Sequence, residues 1–380
     1  MATKPRKLFE EVTQTQRPVA APGGIDGGRR DRRGAIRVWL MVLFALVAVM
    51  IAVGGMTRLT DSGLSITEWA PVTGAMPPLS AADWDAEFAA YQATPQYALM
   101  NRGMTMEEFR TIYWWEWGHR QLGRLIGLVW ALGLAVFVLT RAIPPGWTGR
   151  LVLPGVLGGV QGAIGWWMVH GGLQEGMISV PSYRLAVHLG LAFVILGLLA
   201  WNVFLIGRRD AELMQARRAG EPKLFAMGTG LMHLAFLQIL LGALVAGIDA
   251  GRAFPTWPLM GDGFLPPDPF TREPVWRNFF EDAGLVQFIH RMAGYLLLAF
   301  GIFAWSRGRL SPHVATRFAF NAMLAMMLVQ VVIGIVTVLY SAPVQVAILH
   351  QVGAVVLWVL ILRARYLARY PVAQSLRDAR

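Results

Sequence analysis

Eight stretches of about 20 predominantly apolar residues run through this 380-residue chain, and that pattern constrains the fold more than anything else in it. Inside a hydrocarbon layer every backbone N–H and C=O must be satisfied within the chain, so a run of this length crosses as an α-helix. The runs fall at 36–56, 118–140, 150–169, 184–206, 225–248, 285–305, 318–340 and 345–363. The first is too long and begins too late to be a cleaved leader, so it stays a span. An all-α integral membrane protein is expected, and 55% hydrophobic content agrees with it.

A net charge of +11 would suit a nucleic-acid partner, but its placement argues otherwise. Arg29, Arg30, Arg32, Arg33 and Arg37 precede the first span, and Arg208, Arg209, Arg217, Arg218 and Lys223 fill the central connector. Arg307, Arg309 and Arg317 lie between the sixth and seventh spans, and Arg363, Arg365 and Arg369 close the last. With alternating spans all fall on one side, the positive-inside pattern. Both termini are therefore expected in the cytoplasm, with lipid as the surrounding partner and no nucleic acid. The chain has no cysteine, which excludes disulfides, iron–sulfur clusters and thiolate-ligated or c-type haem.

The two halves repeat. Gly54-Gly55 followed by Trp69 and Pro71 is echoed by Gly247, Trp257 and Pro258; Gln161 to Gly165 is echoed by Gln330 to Gly334. Each half holds four spans, so both insert the same way, and two tandem four-helix bundles related by a pseudo-twofold axis along the membrane normal are expected. The expected divisions are a disordered basic tail at 1–35, a first bundle with a long outer loop at 36–207 and a connector at 208–224. A second bundle at 225–365 and a tail at 366–380 complete the chain.

His119, His188, His290 and His350 each stand near the outer end of an even-numbered span. A histidine entering a membrane is costly unless something binds it. Two such imidazoles per half, at one depth, suit axial ligation of one haem iron. The residue four positions on is small in every case (Gly123, Ala192, Gly294, Ala354) and shares the helix face, clearing room for a flat ring. Cross-bundle hydrogen bonding is the bland alternative, and a metal without haem the less economical one. His170, His233 and His313 are not expected to be ligands.

Glu116 precedes His119 by three residues on the same helical face. It reads either as a solvated carboxylate or as an acid/base group, or as a charge that stabilises a cationic intermediate. Gln287 stands at the matching place in the second half, which implies chemistry in the first half and a cofactor or electron relay in the second. Arg58, Arg120, Arg124 and Arg291 are candidates to bind haem propionates, with snorkelling to the interface as the alternative. Trp69, Trp114, Trp115 and Trp117 read as an interfacial aromatic belt.

The run Gly54-Gly55-Met56-Thr57-Arg58-Leu59-Thr60-Asp61-Ser62-Gly63-Leu64-Ser65-Ile66 with Trp69 and Pro71, then Glu116-Trp117-Gly118-His119-Arg120, resembles the haem A synthase family. The resemblance covers about residues 36 to 365. It implies an inner-membrane oxidoreductase that turns a ring methyl of haem O into the formyl group of haem A by successive hydroxylations. In that pattern His119 and His188 hold the substrate haem, His290 and His350 hold a haem b, and Glu116 is the essential carboxylate. Implied partners are the enzyme that supplies haem O, an electron donor, and assembly factors of aa3-type oxidases. The absence of cysteines matches the proteobacterial and mitochondrial branch and removes a thiol route for electrons. The rival readings are a di-haem b-type cytochrome working with quinol, and a haem transporter or chaperone. A cytochrome that carries electrons across the membrane needs haems near both faces.

Overall fold

A computed structural model describes residues 32–373, and helices dominate it. Eight helices among the described residues are long and apolar enough to cross a membrane. They are α1 (Arg33–Leu59), α4 (Met106–Leu139), α5 (Thr148–Gly172), α6 (Ser182–Ile206), α8 (Pro222–Gly247), α10 (Ala283–Gly308), α11 (Val314–Leu339) and α12 (Val344–Arg369). Shorter helices α2 (Ala81–Gln92), α3 (Pro95–Leu99), α7 (Asp210–Arg218) and α9 (Asn278–Glu281) lie in the connections. Of the two expected tails, residues 1–31 and 374–380 lie outside the described residues; Arg33 to Ala35 and Tyr366 to Arg369 are helical.

The largest departure from the expected spans is α4. A span from 118 was expected to follow a long outer loop, yet one helix of 34 residues begins within that loop, at Met106, and runs on through the span. Its start is fixed by Thr105, whose side chain accepts from the Glu108 N–H while Glu108 accepts from the Thr105 N–H. This reciprocal cap satisfies otherwise unpaired first-turn donors, and no proline follows to stop the helix before the membrane.

Packing repeats between the halves. In the first, α1 packs on α4 and α6, and α5 packs on α4 and α6; in the second, α8 packs on α10 and α12, and α11 packs on α10 and α12. The halves join where α6 meets α8 and where α1 meets α12. The core gathers along this seam: Phe193, Leu196 and Leu199 of α6, Trp358 and Ile361 of α12, and Leu40 and Leu43 of α1 are buried together. Lipid tails are as apolar as leucine, so such helices adhere through close packing and hydrogen bonds rather than water exclusion. Gly197 lets Trp358 seat against α6, and Trp39 Nε1 donates to the Val129 carbonyl at 3.0 Å. By contrast, α4 and α5 turn Leu128, Leu132, Val136 and Val156 outward, each more than half exposed, as suits a surface facing lipid.

An aromatic cap stands on the extended end of α4. Trp84 and Tyr91 of α2 pack on Phe109 and Tyr113, with Trp84 and Tyr113 5.0 Å apart and Tyr91 stacked on Phe109 at 5.4 Å. Trp114 and Trp117 extend this cluster, 5.3 Å from each other. These two tryptophans, expected in an interfacial belt, bear on the cap; Trp114 remains 45% exposed.

Candidate functional site

Each of the four histidines meets a glycine on the neighbouring odd-numbered span. A Cβ on Gly54 of α1 would lie 3.1 Å from His119 Nε2, and one on Gly165 of α5 would lie 3.1 Å from His188 Cε1. In the second half Gly242 of α8 stands in the same relation to His290 (3.2 Å), and Gly334 of α11 to His350 (3.1 Å). The glycines lie within two turns of the C-terminal ends of their helices, and His188, His290 and His350 about as far from the N-terminal ends of theirs. Because consecutive spans alternate in direction, all four imidazoles gather at one end of the bundle. The arginines of α7, of the α10–α11 turn and of the α12 terminus gather at the other.

Glutamines hold two of these histidines from behind. Gln161 Nε2 donates to the His188 carbonyl at 2.9 Å, and Gln238 Nε2 donates to the His290 carbonyl at 3.0 Å while lying 3.2 Å from its Nδ1. Each glutamine sits one turn before the glycine that faces its histidine. Met50 takes that place beside His119. Of the small residues four positions after the histidines, Gly123 has Met50 Cε beside it and Gly294 has Gln238 Nε2.

Glu116 is buried, not solvated, at 3% exposure. Its Oε2 accepts from Ser65 Oγ at 2.8 Å and from the Ile66 N–H at 2.9 Å; its Oε1 accepts from Arg120 at 2.7 Å. Arg120 also donates to the carbonyls of Ile66 and Glu68, both at 2.9 Å. Gln121 and Arg124 continue the line, donating to Gly74 and to Ala70 and Pro71. One face of α4 thus clamps residues 65–74, and all of these bonds except that of Gln121 are charge-assisted, the strong class. Arg291 repeats the device, donating to the carbonyls of Phe254 and Leu259. Arg58 pairs with Asp61 and, across the halves, with Asp249, both at 2.8 Å.

The four arginines singled out for propionates are therefore engaged mainly with loop backbone and carboxylates. Arg58 Nε and Arg124 Nη1 nevertheless remain buried with no protein acceptor. These are donors of the kind a carboxylate substituent takes.

The rings of His119 and His188 lie 6.5 Å apart, centre to centre, at a tilt of 54°. Imidazole nitrogens bind metals at about 2 Å, so two rings sharing one iron axially stand roughly 6 Å apart. The observed spacing fits a haem between them. All four imidazoles keep part of their surface accessible, and Nδ1 of His188 and of His350 have no hydrogen-bond partner. Among the described residues no group of three or more His, Asp or Glu converges as a metal cage.

With this geometry in view, the comparison with known proteins is direct. A family model described as cytochrome oxidase assembly protein (COX15-CtaA) matches residues 37–362. The chain belongs to this family. Full-length relatives include heme A synthase of Ruegeria sp. (strain TM1040), 67% identical over 376 residues that cover 98% of this chain and 99% of the relative. Heme A synthase of Ruegeria pomeroyi is 66% identical over 375 residues, covering 98% and 99%. That of Paracoccus denitrificans is 60% identical over 374 residues, covering 98% of each.

The other histidines sit apart from this arrangement. His170 is exposed at the end of α5, stacked on Trp166; His233 faces outward from α8; His313 precedes α11, 3.1 Å from the Ala219 carbonyl. Sequence reasoning missed the facing glycines. The signal was present, because Gln161 to Gly165 and Gln330 to Gly334 have a third copy in Gln238 to Gly242.

Proposed function

We propose that this chain is a membrane oxidoreductase that converts haem O to haem A, oxidising one ring methyl to a formyl group by successive hydroxylations. The observation that carries this reading is likeness over nearly the whole chain to proteins named heme A synthase. The spacing of His119 and His188 supports it by fitting one porphyrin iron.

The halves then divide the work, each as one four-helix bundle. His119 and His188 hold the substrate macrocycle, gripped unequally because His188 is backed by Gln161 while His119 has Met50 nearby. His290 and His350 hold a haem b, which supplies one-electron transfer when bound. Glu116 has both oxygens engaged, so its part is to hold loop 65–74 and to keep a negative charge beside the reacting edge, not to shuttle a proton freely. Arg58 and Arg124 direct their remaining donors to propionates.

The arginine-rich end faces the cytoplasm, with both termini, and the histidine end faces the periplasm of a bacterial inner membrane. Partners follow from the chemistry: an enzyme that supplies haem O, an electron donor, and assembly factors of aa3-type oxidases. The gathering of all four imidazoles at one end speaks against a cytochrome that carries electrons across the membrane.

Pigment extraction from the purified protein, before and after supply of haem O with a reductant, tests the reading. Haem b together with haem O or haem A, and conversion of one to the other, is the expected result. Haem b alone, unchanged by haem O, points to the quinol cytochrome; haem O bound but never oxidised points to a carrier.

A further inference from the structure

The end of the bundle opposite the histidines contains a cavity of about 520 Å³ that the haem chemistry does not use. It opens between the halves, walled by the α4–α5 turn (Pro145 to Trp147), the last turns of α6 and α12, and the first turn of α8. Three guanidinium groups line it: Arg150, Arg365 and Arg369. The acidic group in its lining is Asp210, whose carboxylate is paired with Arg33 at 2.9 Å.

The arginines stand against aromatic rings without being neutralised. Arg365 donates to Thr229 Oγ1 at 2.9 Å and lies between Trp201 (4.8 Å) and Phe225 (4.4 Å). Arg369 lies over Phe225 at 4.8 Å and Tyr370 at 5.7 Å, and its Nε is buried with no protein acceptor. Arg150 lies over Trp147 at 5.2 Å. Aromatic faces fix where the cations stand but accept no hydrogen bond in the guanidinium plane, so the N–H forks stay free for an oxyanion. Leu205, Leu213 and Trp201 supply an apolar wall beside these forks.

We propose that this cavity binds the phosphate headgroup of an anionic phospholipid from the adjoining leaflet. Arg150 and Arg369 take the phosphate oxygens, and the acyl chains run down the apolar wall between the spans. A free phosphate ion shares the headgroup chemistry but makes no use of that wall or of the cavity's position at the membrane edge. Basic pockets between spans on the cytoplasmic side are the usual form of such sites. Lipid held there staples α5, α6, α8 and α12 across the seam. The inference is independent of the haem reading.

The test uses the full chain in nanodiscs of phosphatidylcholine with or without phosphatidylglycerol, read by thermal unfolding and by lipid retained in native mass spectrometry. Phosphatidylglycerol is expected to raise Tm and to survive delipidation. Arg150→Gln and Arg369→Gln should each lower its retention about tenfold, the loss of one charge-assisted contact. Arg309→Gln, at the same end but outside the cavity, should leave retention unchanged. Arg365→Lys keeps the charge and reports on the stacked position if a glutamine variant fails to fold. Equal Tm in both discs, equal loss with Arg309→Gln, or the same Tm rise from inorganic phosphate in phosphatidylcholine discs overturns the proposal.

Discussion

Gln351 of α12 donates a 2.7 Å hydrogen bond to the carbonyl of Ile51 on α1, 300 residues away in sequence. Gly55 makes the approach possible, since a Cβ there would overlap the Gln351 amide. Its neighbour Gly54 faces His119, and Gln351 directly follows His350. The two candidate haem sites therefore back onto one glycine pair.

This pair predicts two distinguishable defects. Gly54→Ala presses on His119 and should perturb the first-half haem alone. Gly55→Ala displaces Gln351 and should disturb both haems while destabilising the fold by about 1–3 kcal/mol, the usual effect of overpacking. Haem stoichiometry and the low-spin electron paramagnetic resonance signals of purified variants check this. Gly158→Ala, with open space around its Cα, is the neutral control.

Glu116 predicts a structural effect alongside a catalytic one. Glu116→Ala strands the Ile66 N–H, Ser65 and the Arg120 guanidinium, and removing one partner of a buried ion pair costs about 3–5 kcal/mol. Hydrogen exchange across residues 65–74 should accelerate and haem A formation should stop. Glu116→Gln can still accept from Ser65 and Ile66, so exchange should stay near wild type while activity falls. Full activity in Glu116→Gln would remove the charge from the mechanism.

Glu87, on the cap helix α2, predicts a pH effect. Burial, and next the charge of Glu68, push its carboxyl above the ordinary glutamate value, with Arg120 opposing. The folded chain thus keeps this proton to higher pH than the unfolded chain. Its contribution to stability is present below the ordinary value and is lost as pH rises through the raised one. Glu87→Gln should raise Tm near neutral pH and make no difference well below the usual glutamate range, as thermal unfolding at several pH values will show.

Much of the architecture was legible because hydrocarbon imposes a simple rule: length and apolarity alone mark the spans, and the arginines mark one end. The histidines stood out because they break that apolarity. What escaped was geometry between helices. Gly54, Gly165, Gly242 and Gly334 carry no side chain to advertise a contact, and their partners lie on other spans. The engagement of Arg120 and Arg291 escaped for a related reason: a loop carbonyl leaves no mark on composition, so only a propionate or the membrane interface stood out as a partner. The junction of the cap with α4 escaped because an amphipathic turn and an apolar run differ in pattern while sharing one unbroken backbone.

That continuity has a mechanical consequence. At 34 residues α4 is roughly 50 Å long, against about 30 Å of hydrocarbon. Its protruding third carries the aromatic cap, and His119 lies further along the same stiff rod. In the proposed enzyme, tilting this cap to admit a bulky, greasy guest would swing His119 by the same lever, so that opening the door and loosening the grip would become one movement.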